Sequence, residues 1–365
     1  MQKLDWYILK KFLVTFFFCL ILFTTIAVAV DTSEKTDNFV SSGLTTFELI
    51  KQYYAGFIPW IWGLLFPVFV FISVIFFTSR LAMGSEIVAI LASGVSYNRI
   101  LRPYIIGGLF FALLLWIGNR TFIPKANYIR SKYRITYLDK DKVSGERNYS
   151  GCFNCFYMRA DTNTFVGIKD FYPDAKTGYG FFLQKVQGEK IIYNLRGNLI
   201  RWDTTQQKWQ LQNALERRVD SMGEKIQRYD SLYIDLNIKP EELRKDEYLK
   251  DKLTTPELKA FIEKEELRGT EGLNTLKVEY YRRTATPFAV FLLTMIGVVI
   301  SSRRIRGGSG LHLAYGIAIA ALFILFDRFS TVFSTKGNFS PLMAAWLPNF
   351  VFMFVAWVIY RFAPK

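Results

Sequence analysis

The chain has a single histidine, His312, and three cysteines, Cys19, Cys152 and Cys155. One imidazole cannot build a multi-histidine metal site, and no Asp or Glu stands close to it in sequence. His312 therefore reads as a packing residue at the end of an apolar run. Cys19 lies inside another such run and reads as a small apolar side chain. Cys152-Phe-Asn-Cys155 is a C-x-x-C pair, but no βαβ pattern surrounds it and no further ligands lie nearby. That argues against a thioredoxin-like centre and a zinc site and favours a local disulfide or two structural thiols. There is also no Gly-x-x-x-x-Gly-Lys-Ser/Thr run. Gly307-Gly-Ser-Gly310 lacks the lysine and leads into an apolar stretch, so this chain does not hydrolyse ATP by itself. The carboxylates Glu241-Glu242 and Glu263/Glu265/Glu266 sit among alternating lysines and read as solvated faces. No catalytic residue, metal ligand or cofactor site emerges, and no repeat or low-complexity segment is present.

Negative charge is scarce: 31 acidic residues face 46 basic ones, a net +15. A nucleic-acid partner would need a basic soluble face, and none is evident. The excess has a different meaning once the apolar residues, 51% of the chain, are placed. They form six uncharged runs: Phe12–Val30, Ala55–Ser79, Pro103–Asn119, Thr284–Ser302, Gly307–Phe326 and Gly337–Tyr360. As helices rising about 1.5 Å per residue, each spans a bilayer core of about 30 Å. Six transmembrane helices are expected, the first retained as a signal anchor because its Ala27-Val-Ala-Val-Asp31 end is a weak cleavage site. Lys3, Lys10, Lys11, Arg80, Arg99, Arg102, Arg303, Arg304, Arg306, Arg361 and Lys365 fall on one side of these spans. Only Lys35, Lys51, Arg328 and Lys336 fall in the short loops of the other. The asymmetry predicts cytoplasmic termini for a multi-pass membrane protein.

Residues 121–283 separate the membrane halves 1–120 and 284–365 and are long enough for a domain with its own core. Short aromatic or β-branched segments predict strands at Phe153–Tyr157, Thr164–Ile168, Gly180–Lys185, Lys190–Tyr193, Asn198–Trp202, Lys208–Leu211 and Ser231–Leu236. Trp202-Asp-Thr-Thr-Gln-Gln-Lys-Trp209 predicts a hairpin turn. A helix is expected over Thr255–Leu267, with Thr255 as N-cap, Pro256 in the first turn and Glu257 favourable to the dipole.

Between the second and third runs, Ser85 and Gly94 bracket a short amphipathic helix. Ile87, Ile90, Leu91 and Val95 recur at helical spacing. A helix lying on anionic lipid normally carries basic residues on its polar face. This one carries only Glu86, which suits a basic protein partner better.

Glu86-Ile-Val-Ala-Ile-Leu-Ala-Ser-Gly-Val-Ser96 resembles the cytoplasmic coupling helix of the LptF/LptG permeases of the lipopolysaccharide-export ABC transporter. Leu4-Asp-Trp-Tyr-Ile-Leu-Lys-Lys11, Leu253-Thr-Thr-Pro-Glu-Leu258, Tyr281-Arg-Arg-Thr-Ala-Thr-Pro287 and Pro341-Leu-Met-Ala-Ala-Trp-Leu-Pro-Asn349 extend the resemblance to both membrane halves, with Trp209-Gln-Leu-Gln-Asn213 a local echo between them. It implies six transmembrane helices with a β-rich, jellyroll-like periplasmic domain between the third and fourth. It also implies a second permease of the same type, an LptB-like cytoplasmic ATPase dimer that uses the ATP, a single-span LptC-like bridge protein and lipopolysaccharide itself. In that frame Glu86 meets the ATPase, and Ile87, Ile90 and Leu91 pack in its groove, the helix ending at Gly94. The first run lacks the outer basic residues that family members often use for lipid phosphate, and Lys35 stands among Asp31, Glu34 and Asp37. Arg328 becomes the better headgroup residue, with Phe23, Phe326 and Phe329 as acyl-chain contacts beside Lys35. A membrane-anchored enzyme on envelope glycolipids would need clustered acid, base or nucleophile groups, and a passive scaffold gives no reason for a coupling-like helix.

Overall fold

Each uncharged run falls wholly or largely within a helix, because helical hydrogen bonding satisfies the backbone wherever water is excluded. The computed structural model describes residues 3–138, 156–161, 163–172, 175–220, 223–236, 239–240, 248–269, 272–303 and 308–361. In chain order its main helices are α1 (Lys3–Glu34), α2 (Thr46–Met83), the short α3 (Glu86–Ala92), α4 (Tyr97–Leu138), α5 (Thr255–Arg268), α6 (Leu273–Ser301), α7 (Gly308–Lys336) and α8 (Pro341–Arg361). All but α3 and α5 are long and apolar enough to cross a membrane, and each carries one of the six expected spans, the sixth starting at Pro341 and not at Gly337.

α2 and α4 outrun their apolar stretches through wide π-helical turns at Ile50–Tyr54, Gly118–Phe122 and Arg134–Leu138. The first of these turns Tyr53 and Tyr54 into the protein, where both are buried.

The chain divides into two units. The first holds residues 1–134, 250–259 and 274–365. Its core is aromatic. Phe12 of α1 stacks on Phe77 of α2 at 5.5 Å between ring centroids and meets the edge of Phe111 of α4 at 5.2 Å. Val290 and Val298 of α6 close the same cluster. Gly107 makes room for Phe12, since a Cβ there would lie 2.6 Å from its ring. Gly56 plays the same part for backbones: its Cβ would lie 2.5 Å from the Ala126 carbonyl oxygen, so α2 and the outer part of α4 touch main chain to main chain.

The second unit holds residues 135–249 and 260–273. Its strands β1 (Phe156–Asp161), β2 (Thr164–Tyr172), β3 (Thr177–Gln187), β4 (Lys190–Asp203), β5 (Lys208–Asp220) and β6 (Gly223–Ile234) form one antiparallel sheet in sequential order. A six-stranded sheet between the third and fourth spans is consistent with a jellyroll-like domain. The predicted pieces Lys190–Tyr193 and Asn198–Trp202 are one strand, not two. Polar Asn194 and Arg196 break the apolar pattern without breaking the ladder, because β3 and β5 pair with this strand from both sides. Ile168 opposes Phe181 and Ile200 opposes Leu211, so the alternation builds one apolar face.

The β4–β5 hairpin forms where expected. The Asp203 carboxylate accepts the Thr205 amide at 2.9 Å, and Trp202 meets Trp209 edge-on. The same register places Glu216 opposite Leu195, on the buried face. It accepts Arg218 Nε at 2.9 Å, Arg218 Nη2 at 2.7 Å and the Tyr229 hydroxyl at 2.9 Å, and the Tyr193 hydroxyl bonds to it as well.

The cap of α5 lies one residue earlier than expected. Thr254, not Thr255, exchanges bonds with Glu257: its amide and hydroxyl both donate to the carboxylate, at 2.8 and 2.7 Å. Those bonds hold the Glu257 carboxyl below its usual range. Thr255 is thereby free to accept Arg283 Nη1 at 3.3 Å.

Candidate functional site

α3 connects α2 to α4 as predicted in length, but its surroundings differ from the expectation. Ser85 occupies the N-cap position in a left-handed conformation, φ 61°, and its side chain makes no capping bond. The turn instead bonds through the backbone, Ser85 amide to Ala82 carbonyl at 3.1 Å. Gly94, φ 84°, donates its amide to the Leu91 carbonyl at 3.0 Å and ends the helix in the left-handed geometry that favours glycine.

The apolar stripe faces inward. Ile87 is 2% exposed, and Ile90, Leu91 and Val95 pack beside it against the chain's own core. Ile87 is thus covered by the chain's own core, whereas Ile90 and Leu91 stay partly exposed. The outward residues are Val88, Ala89 and Ala92.

Glu86 is not a lone charge either. Its Oε2 accepts the Tyr7 hydroxyl of α1 at 3.0 Å, and its Oε1 lies 3.6 Å from Lys11 Nζ. Lys11 also donates to Tyr7 and lies over its ring. Both ends of the ion pair stay about two-fifths exposed, so the contact is solvated and exchangeable. The same end of the helical unit is tied by Tyr97 to Ser302 at 3.3 Å and by Tyr360 to Asn98 at 2.6 Å.

The lipid-facing residues divide. Lys35 bonds to Asp31 and donates to the Tyr53 hydroxyl at 2.6 Å, lying over the Tyr53 and Phe57 rings. It is spent internally, because a buried carboxylate, Asp31, needs a counter-charge. Phe23 stacks on Phe69 at 5.4 Å and belongs to the core. Phe326 and Phe329, by contrast, are exposed on α7, Phe329 by 61%. Arg328 lies between them, exposed, and makes no hydrogen bond or ion pair with any described residue. Its neighbour Asp327 is committed elsewhere, accepting Arg282 Nη2 of α6 at 2.8 Å.

Sequence reading did not pair Tyr7 or Lys11 with Glu86, or Arg282 with Asp327. A signal for the last was present, since paired arginines entering an apolar span are costly unless they meet partners. Arg283 shows how that cost is met: it donates to the carbonyls of Lys250 and Leu253, both at 2.8 Å, and lies 3.6 Å from Glu279. His312 is buried, and neither ring nitrogen has a hydrogen-bond partner among the described residues. Among these residues no group of His, Cys, Asp and Glu could hold a metal ion.

Residues 6–361 match the family described as lipopolysaccharide export system permease LptF/LptG. The chain belongs to that family. No curated protein matches it. LptF/LptG permeases are transport subunits, so the chain is a multi-pass inner-membrane permease subunit of lipopolysaccharide export and not an enzyme. Cys152 and Cys155 lie outside the described residues. A bridge between them would close a very small ring and contribute little entropic stabilisation. Replacing both with serine is expected to leave export by this LptF/LptG permease unchanged, measured as lipopolysaccharide arrival at the outer membrane. Lost export from a normally folded double variant would assign the pair a redox role.

Proposed function

We propose that this LptF/LptG permease works within an ABC transporter that lifts lipopolysaccharide out of the inner membrane and passes it to a periplasmic bridge. Its companions are a second permease of the same type, an LptB-like ATPase dimer beneath α3 and an LptC-like single-span protein. The termini and α3 face the cytoplasm, and the sheet faces the periplasm. The basic residues Lys10, Lys11, Arg80, Arg99 and Arg102, gathered at the α3 end, support that orientation.

One observation carries the reading. Between two spans sits a short helix, anchored by Ile87, that offers Val88, Ala89 and Ala92 outward with the exchangeable Glu86 at its margin. A passive connection would need no such platform. At the far end of α7, exposed Phe326 and Phe329 flank the uncommitted Arg328. That combination suits acyl chains beside a phosphate, which arginine grips through a forked, charge-assisted contact.

The test is in two parts. Purified from native membranes, the permease is expected to bring down a separate ATPase subunit. A photocrosslinker at position 326 or 329 is expected to capture glycolipid, with Arg328→Ala reducing capture more than Arg328→Lys. Crosslinks to bulk phospholipid alone, with export indifferent to both substitutions, would make Arg328 structural.

A further inference from the structure

The apolar cluster of Ile168, Phe181, Ile200 and Leu211 occupies one side of the six-stranded sheet. The strand register defines what stands on the other. Four cross-strand rows line it, beginning at Tyr157, Arg159, Asp170 and Tyr172. The first runs Tyr157, Gly167, Phe182, Arg196, Leu215, Arg228 across all six strands.

The composition of these rows is unlike that of a merely solvated surface. They hold five arginines, Arg159, Arg196, Arg201, Arg217 and Arg228, against one carboxylate, Asp170, and no lysine. Arg159 donates to the Asp161 carbonyl at 3.2 Å, and Arg217 pairs with Glu224. Arg196, Arg201 and Arg228 are exposed, and they donate no hydrogen bond and close no ion pair with any described residue. Between the arginines lies apolar surface: Tyr157 is 53% exposed and Ile226 61%. The Tyr157 and Phe182 rings meet over Gly167 at 5.9 Å, because a Cβ there would lie 2.3 Å from the Phe182 ring.

Arginine and aromatic residues are enriched where proteins meet, and lysine is depleted there. Attraction to an anionic membrane needs only net charge, which lysine supplies as well as arginine. A second copy does not fit, since a two-fold contact would bring the same arginines together. Six strands about 4.8 Å apart, with eight residues along each at about 3.3 Å, give a face of roughly 600 Å². That is about one partner's share of a small, transient protein interface.

We propose that the sheet face around Arg196 and Arg228 is a docking surface for an acidic protein partner. Its carboxylates take forked, charge-assisted bonds from the two arginines on either side of Leu215, and its apolar side chains cover Tyr157 and Ile226. This surface lies outside the lipid-export reading and does not depend on it.

The experiment uses the full chain in nanodiscs of neutral phosphatidylcholine. A photocrosslinker is placed at position 157, in the face, or at position 206, in the β4–β5 turn, as a control. The probes are a glutamate–tyrosine copolymer, a lysine–tyrosine copolymer and phosphatidylglycerol vesicles. Position 157 is expected to capture the glutamate copolymer at least about tenfold more than it captures the lysine copolymer, and more than position 206 does. Arg196→Glu with Arg228→Glu should abolish that capture. Arg196→Lys with Arg228→Lys should reduce it about threefold, although the net charge is unchanged. In living cells, position 157 is expected to form a protein adduct whose crosslinked peptide is rich in Asp and Glu, and the glutamate double variant should lose it. Circular dichroism and thermal unfolding check that each variant is folded. Preferential capture of phosphatidylglycerol, adducts between two copies of the chain, or copolymer capture indifferent to the folded double variant would each overturn the proposal. None of these readouts involves lipopolysaccharide or the ATPase, so their failure would leave the export reading standing.

Discussion

Glu86→Lys is expected to lower recovery of the ATPase subunit with the permease by at least about tenfold and to stop export, with membrane insertion unchanged. Within the chain the substitution costs little. The ion pair to Lys11 is 3.6 Å long and two-fifths exposed at both ends, and such pairs are worth about 0–1 kcal/mol. At a docked, partly desolvated contact the same reversal turns attraction into repulsion, and each tenfold of binding is about 1.4 kcal/mol. The charge swap Lys11→Glu with Glu86→Lys separates the two contacts. It restores the internal pair between α1 and α3 but still presents a cation to the partner, so no recovery of ATPase binding is expected. Recovery by the swap would show that Glu86 acts through α1 and not through the ATPase.

Removing the buried carboxylate of the sheet should be the most damaging single change in that unit. Glu216→Ala takes away the acceptor of the half-buried Tyr193 and Tyr229 hydroxyls, while Arg218 stays solvated, and an expected loss of about 1–3 kcal/mol follows. Urea unfolding of the full chain, followed through Trp202 and Trp209 fluorescence, measures it as a lower midpoint. The pH dependence has a definite sign. Burial alone would raise the Glu216 carboxyl, but the bonds from Arg218, Tyr229 and Tyr193 outweigh it and hold the group below the ordinary glutamate range. Tyr193 is pushed up to about 12, by burial first and by Glu216 second. The unfolded chain therefore binds a proton at Glu216 more readily than the folded one. Its stabilisation is fully present above the ordinary glutamate value of about 4.3 and fades as pH falls through the lowered one. The gap between wild type and Glu216→Ala should narrow below about pH 4. A gap that widened on acidification would contradict this account.

Much of the fold was legible because two solvents impose different patterns. A stretch such as Ala55–Ser79, long and uncharged, has few stable places outside a bilayer. Alternation over Thr164–Ile168 marks a strand with one buried face. Precise ends were harder to read. Thr254 and Thr255 are both competent caps, and only the reach of Arg283 to Thr255 separates their roles. The two short predicted strands around Asn194 fused because neighbours on both sides satisfy the backbone there, which no local window displays.

The candidate site shows the same division more sharply. Helical spacing put Ile87, Ile90 and Leu91 on one face, and Glu86 at the start of the helix. Spacing defines a face but not which neighbour covers it. The chain's own core does so, because Phe77, Leu81 and Tyr97 belong to the cluster that takes in Ile87. Likewise Lys35 and Arg328 look alike as isolated basic residues near span ends. Asp31 and Tyr53 engage the first, whereas Asp327 turns to Arg282 and leaves the second unspent.

The amino-acid sequence alone determined six membrane spans, a strand-rich insertion, the lack of a Gly-x-x-x-x-Gly-Lys-Ser/Thr run and a short amphipathic helix between the second and third spans. These follow from composition and period, quantities summed along the chain. Only the tertiary structure decided which charges cancel one another and which way the short helix α3 faces. Pairing is a matter of a few ångströms between residues tens or hundreds of positions apart, as with Tyr7 and Glu86 or Arg282 and Asp327. Electrostatic and hydrogen-bond energies fall off over that same short distance, so nothing local in the sequence records them.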